Sequence, residues 1–212
     1  MEWTMKRTNP ASAITGRRVC VTRALLVVTL LGLFAPPNAY SQDADIELPK
    51  GKQTTLGLYV TSTEAYELWK ASPDEVKILD VRTLEEYIFV GHPPMAVNIP
   101  AFLQTYEWNE KTHRYEMKPN PDFLAQVQAT YSPDDTILIT CRSGDRSARA
   151  VDQLAAAGFK FAYAITDGVE GDEVAEPGSA YLGKRMKNGW KNSGVPWTYS
   201  LDPELMRLPG TP

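Results

Sequence analysis

The chain has 212 residues, 43% of them hydrophobic, and a formal net charge of −4 at pH 7. It lacks the basic field that non-specific nucleic-acid binding needs. Removing the first 41 residues, which hold five Lys/Arg and one Glu, takes the charge to −8, and no later segment is apolar and long enough to span a bilayer core of about 30 Å.

Lys6, Arg7, Arg17, Arg18 and Arg23 precede an apolar run at 24–35, the layout of an export signal. The stretch "PPNAYSQDA" offers small residues at Ala39 and Ser41, so cleavage is expected after Ser41. That gives a signal peptide over 1–41, a periplasmic or secreted protein, and no stable membrane insertion after processing; the alternative is a segment kept uncleaved as a membrane anchor. Cys20 leaves with the signal and Cys141 remains as the sole cysteine. About 170 mature residues suit one domain with a real core.

Residues 42–56 are polar and aperiodic and read as an extended lead-in. A short strand follows over 57–60. In "TSTEAYELWKA", Thr61 and Glu64 have capping-box spacing and Ala65, Leu68 and Trp69 share a face, predicting a helix. "VKILDV" (76–81) is a buried strand. "TLEEYIFV" makes one or two helical turns, stopped by Gly91 and Pro93-Pro94. "AVNIP" is a further strand ended by Pro100. Residues 101–120 carry Phe102, Tyr106, Trp108 and Tyr115 without clear period and read as an irregular insertion, a pocket wall, a docking face or ordinary packing. "PDFLAQVQATY" (121–131) is helical with Pro121 near its first turn. "TILIT" (136–140) is a strand, and "SARAVDQLAAA" (147–157) a helix that Gly158 stops. "FAYAI" (161–165) is the last clear strand, and "NGWKNSGVPW" closes the fold with a helix and a loop held by Trp190 and Trp197. Short apolar strands alternating with helices describe an α/β domain, a central parallel sheet with helices on both faces. Its expected span is 57–198, with a tail over 199–212.

Ligands of open α/β sheets sit beyond the carboxyl ends of strands, and Cys141 lies there, between the strand 136–140 and the next helix. The loop Arg142-Ser143-Gly144-Asp145-Arg146 can turn its N–H groups inward, with Gly144 free to take unusual dihedrals. Such a cradle at a helix N-terminus stabilises negative charge and favours a nucleophilic thiolate. Arg142 and Arg146 add positive charge that can hold an oxyanion. Asp145 is expected to face solvent or pair with Arg146, because a carboxylate turned inward would weaken anion binding.

"CRSGDRS", with "LDVRTLEEYIFVGHPPMAVNIP" upstream and "LAAAGFKFAYAITDG" downstream, resembles the rhodanese family in three ordered blocks. The resemblance implies the rhodanese-like fold and a sulfurtransferase without metal or organic cofactor. Cys141 would take sulfur from a small anionic donor such as thiosulfate as a persulfide and pass it to cyanide, a thiol or a protein acceptor. Substrate-binding residues would be Arg142, Ser143, Gly144, Asp145, Arg146 and Ser147, the amides of 142–147 stabilising the persulfide and the two arginines holding the donor's sulfonate. A related phosphatase loop would need arginine at position 147, where Ser147 stands. The alternative is a non-catalytic rhodanese-like module that binds a partner or senses thiol oxidation. Two departures from the family pattern are Met95-Ala96 and Asp167-Gly168, the latter where Gly-Gly is expected.

Asp80 and Arg82 read as a structural pair, since buried charges persist when paired. The resemblance sets them beside the active site. His92, between Gly91 and Pro93, reads as a hydrogen-bonded structural histidine, and His113 as exposed. The acidic stretch 167–178 does not have the spacing of a calcium loop.

Overall fold

The computed structural model describes residues 48–208 and 210. The expected signal peptide and the first residues of the lead-in lie outside the described residues. In chain order the elements are β1 (Tyr59–Val60), α1 (Ser62–Ala71), β2 (Val76–Asp80), α2 (Leu84–Val90), β3 (Val97–Asn98), β4 (Phe102–Asn109), β5 (Arg114–Pro119), α3 (Phe123–Thr130), β6 (Thr136–Thr140), α4 (Asp145–Ala156), β7 (Phe161–Ile165), β8 (Asp172–Glu173) and β9 (Arg185–Lys187). Thr61 and Glu64 form the expected capping box on α1, and Thr83 with Glu86 forms another on α2.

Five strands make one parallel sheet in the order β1-β7-β6-β2-β3. Successive side chains of a strand point to opposite faces. Ile137, Ile139 and Cys141 join Phe123 and Val127 of α3 and Val151 and Leu154 of α4 on one side. Leu138 joins Ile78, Ile165, Ala65 of α1 and Trp190 on the other. Both faces are covered, which is why the strands read as unbroken apolar runs. Burying each large side chain contributes about 1.5–3 kcal/mol relative to leaving it exposed.

Topology fixes the place of the site. From β2 the chain moves outward to β3, whereas from β6 it moves the opposite way to β7. The strand order reverses between β2 and β6, and ligands of open sheets bind in the crevice that such a reversal opens. Cys141 directly follows β6 there, and Asp80 is paired with Thr140 in register.

Several expectations change. Residues 101–120 are not irregular: β4 and β5 form an antiparallel hairpin whose register slips between Gln104 and Trp108. Most of its side chains are exposed, so no inward-outward alternation marks it in the sequence. Trp108 meets Tyr115 and the exposed His113 edge-on, with ring centroids 5.3 and 6.1 Å away. The lead-in is not simply extended. A 3-10 turn at Lys50–Lys52 begins a strap whose Thr55 N–H and hydroxyl both donate to Asp152 of α4 at 2.8 Å. The tail docks as well: Arg207 N–H donates to the Asn98 carbonyl at 2.9 Å.

Beyond β7 the acidic stretch supplies β8, which pairs antiparallel with β9 in a ribbon closed where Gly171 meets the 187–188 backbone. A Cβ on Gly171 would stand 1.9 Å from the Lys187 carbonyl oxygen. Three carboxylates of the stretch are held in ion pairs, Asp172 with Lys52, Glu173 with Arg185 and Glu176 with Lys187.

Candidate active site

Cys141 is 1% exposed, and its sulfur faces the opening turn of α4. The Gly144 N–H donates to Sγ at 3.2 Å, and the Ser147 hydroxyl lies 3.5 Å from Sγ and 2.9 Å from the Gly144 carbonyl oxygen. Gly144 caps the helix at φ +108°, with no side-chain cap. Helix α4 therefore begins at Asp145, two residues before the expected Ser147. A cap made by glycine backbone leaves no Ser/Thr/Asp signature at the right place. An N-terminal helix turn aimed at a sulfur favours negative charge on it.

The loop after β7 braces this cradle from behind. Val169 N–H donates to the Cys141 carbonyl at 2.7 Å and Glu170 N–H to the Arg142 carbonyl at 2.9 Å. Gly168, at φ +62°, makes the approach possible, since a Cβ there would stand 2.6 Å from the Cys141 carbonyl oxygen. Its neighbour Asp167 accepts from Ser62 N–H, Ser62 Oγ and Gly189 N–H, each at 2.8 Å. The departure from Gly-Gly thus has a structural use: the Asp167 carboxylate ties the start of α1 to the base of the β8–β9 ribbon.

The loop's charged residues separate. Asp145 is exposed and its nearest polar partner is Ser143 Oγ at 3.3 Å. It does not pair with Arg146. Arg146 instead forms two parallel hydrogen bonds with Glu86 of α2, both 2.6 Å, with the side chains 16% and 17% exposed. Arg142 is half-buried and makes no ion pair among the described residues. Of the two loop arginines expected to meet a donor, Arg142 is uncommitted and Arg146 is braced against α2. Glu86 was not singled out from the sequence. Its only signals are its place in the Thr83 capping box and in the Glu-aromatic pair of the rhodanese pattern.

Burial alone would raise the Glu86 carboxyl, but the Arg146 hydrogen bonds and charge, with the Thr83 amide, hold it below its ordinary value. A carboxyl depressed in the folded state adds stability that is complete above its unfolded value and lost as pH falls through the folded one. Taking the protein from about pH 7 to about pH 3 is therefore expected to lower the urea midpoint more in wild type than in Glu86→Gln. Equal acid sensitivity in the two proteins would refute this contribution.

Asp80 and Arg82 are both fully buried and bound side by side. Arg82 Nη2 lies 2.6 Å from Asp80 Oδ2 and also donates to the Gly91 carbonyl at 2.8 Å, while Arg82 Nε and N–H reach Asp80 Oδ1 at 3.0 Å. Asn98 Nδ2 donates to both of their carbonyls. The pair locks the carboxyl end of β2, beside β6, to the turn after α2. His92 stacks on Tyr87 at 3.7 Å, and its Nδ1 lies 3.1 Å from the Pro93 carbonyl, which can only accept, so the proton is on Nδ1. Burial holds its imidazole below the ordinary value despite that hydrogen bond, in keeping with a structural role.

Comparison with known proteins fits this geometry. The sequence model described as Rhodanese-like domain matches residues 64–173, just over half of the chain. Over 83 residues the chain is 40% identical to the senescence-associated protein DIN1 of Raphanus sativus, covering 39% of this chain and 40% of that protein. It is 37% identical over 110 residues to thiosulfate sulfurtransferase 18 of Arabidopsis thaliana, covering 47% of this chain and 74% of that protein. The crystal structure of Rv0390 from M. tuberculosis is 28% identical, with a TM-score of 0.53 over 66% of this chain and 96% of that one. With its five-stranded parallel sheet and its cysteine loop at the strand-order reversal, the chain belongs to the rhodanese-like domain family.

Proposed function

We propose that the protein is a sulfurtransferase that carries sulfane sulfur on Cys141. The observation that carries this reading is the Gly144 N–H directed at Sγ from 3.2 Å at the start of α4, which supports an anionic sulfur before and after transfer. The Cys141 thiolate attacks the outer sulfur of a donor such as thiosulfate. The donor's S–S bond breaks, sulfite leaves with the bonding electrons, and Cys141 holds a persulfide. Cyanide or a thiolate then attacks the terminal sulfur, which departs as thiocyanate or a new persulfide and restores the Cys141 thiolate. No net oxidant or reductant is needed. Arg142 meets the sulfonate end of the donor, while Arg146, held by Glu86, keeps the first turn of α4 in place.

Incubation with thiosulfate is expected to add the mass of one sulfur atom, and cyanide is expected to remove it as thiocyanate. Both signals vanish in Cys141→Ala. A protein that gains no sulfur and releases no thiocyanate under these conditions is not a thiosulfate-using enzyme, and the rhodanese-like binding module becomes the better reading.

A further inference from the structure

Glu86 stands on a different element from the cysteine loop, and no step of the sulfur transfer uses it. Its carboxylate nonetheless joins two features, and the guanidinium it holds meets a third. Oε2 accepts from the Thr83 N–H at 3.0 Å, completing the cap of α2. Both oxygens grip Arg146, one residue from Ser147. The β4–β5 hairpin closes the third side, with Met117 Sδ 4.0 Å from Arg146 Nη1. The guanidinium is thus surrounded on the helix turn that faces Cys141, and a thiolate there would help keep it charged.

We infer that Glu86 is a specificity-determining residue: by neutralising Arg146 it sets how much positive charge the cradle presents, leaving Arg142 as the cation that an incoming anion meets. With Glu86 charged, Arg142, Arg146 and Glu86 together carry one positive charge; without it they carry two. The inference rests on the reading of Cys141 as a nucleophile that receives an anion, but not on the identity of the donor. A bidentate guanidinium–carboxylate pair is among the strongest and most geometrically defined of polar contacts. It is also short enough, and shielded enough from salt, for a change in its net charge to be felt at a neighbouring sulfur. Discrimination between donors by charge follows: the wild-type cradle suits an anion balanced by one arginine, and loss of the Glu86 charge would tilt it toward more highly charged reagents.

The test compares two alkylating reagents of similar size, anionic iodoacetate and neutral iodoacetamide, and reads the rate at which each modifies Cys141 from the mass of the peptide that carries it, apart from Cys20. Glu86→Gln is expected to raise the iodoacetate-to-iodoacetamide rate ratio by about threefold to tenfold. Arg146→Gln, which leaves Glu86 without its guanidinium partner, lowers the ratio by a similar factor. The double variant Glu86→Gln/Arg146→Gln, with the pair neutral again, returns to within about twofold of wild type. A merely structural Glu86 would not produce opposite shifts in the two single variants, nor a reversal in the double one. An unchanged ratio in both singles, or a double variant that keeps the Glu86→Gln ratio, overturns the inference. No sulfur donor enters this experiment, so a protein inert toward thiosulfate would refute the proposed reaction while leaving this test decisive.

Discussion

Gly144→Ala is expected to slow persulfide formation at Cys141 about a hundredfold or more, the usual order of loss when one preorganised donor to a reacting anion is misplaced. Two effects act together. At φ +108° an L side chain is strained, and the left-handed side of the map costs a non-glycine residue roughly 1–2 kcal/mol. A Cβ at this position would also stand 2.3 Å from the Thr166 carbonyl oxygen, with the Lys52 stem at 3.1 Å. The Thr166 contact is with backbone, which cannot step aside as a flexible side chain can. The loop must move, and the N–H that faces Sγ moves with it. Because the sheet and the α4 packing face are untouched, the loss is expected in the rate far more than in the urea midpoint. Single-turnover mass measurements with thiosulfate, beside equilibrium unfolding, separate the two quantities. A variant with wild-type rates, or one that loses rate only in proportion to its unfolded fraction, would show that the Gly144 amide does not serve the sulfur.

The sheet could be read from the chain because buried parallel strands such as "TILIT" have few alternatives: five apolar or β-branched residues between turns fit a covered strand. The cysteine's place was legible for the same reason, since a strand end, a glycine loop and a helix start follow in order. What stayed hidden depends on contacts distant in sequence. Arg146 and Glu86 are 60 residues apart, so the sequence offered only Asp145 as a nearby partner for Arg146. Asp167 reaches Ser62 across 105 residues, and nothing local distinguishes it from the carboxylates that follow it. The β4–β5 hairpin escaped for another reason. With Tyr106 93% exposed and Tyr115 53% exposed, neither face is consistently apolar, and the register slip after Gln104 breaks what alternation there is. The strap over α4 was invisible because its hold is polar, through Thr55 and Asp152, in a segment without hydrophobic period.

Neutralising one member of the fully buried Asp80–Arg82 pair is expected to be the most destabilising of the substitutions considered. In Asp80→Asn the guanidinium keeps its charge, since arginine does not lose its proton in proteins, and it loses the carboxylate that receives its Nε and Nη2. Breaking a buried pair from one side costs about 3–5 kcal/mol, which for a domain of this size lowers Tm on the order of 10 °C. The loss would also reach the site. Asp80 ends β2 opposite Thr140, and the Val81 N–H donates to the Thr140 carbonyl at 2.9 Å, so loosening the β2 end loosens the strand that delivers Cys141. Removing both charges should behave differently. Asp80→Leu with Arg82→Met leaves no stranded ion, and a buried pair replaced by apolar groups of similar volume is often tolerated. The Gly91 carbonyl loses its donor in that variant, so some cost remains, but less than the sum of the two single changes. Urea unfolding of wild type, both singles and the double closes the cycle. Strictly additive costs would mean that the two charges do not support each other, and that the carboxyl end of β2 is held by Asn98 and the ladder alone.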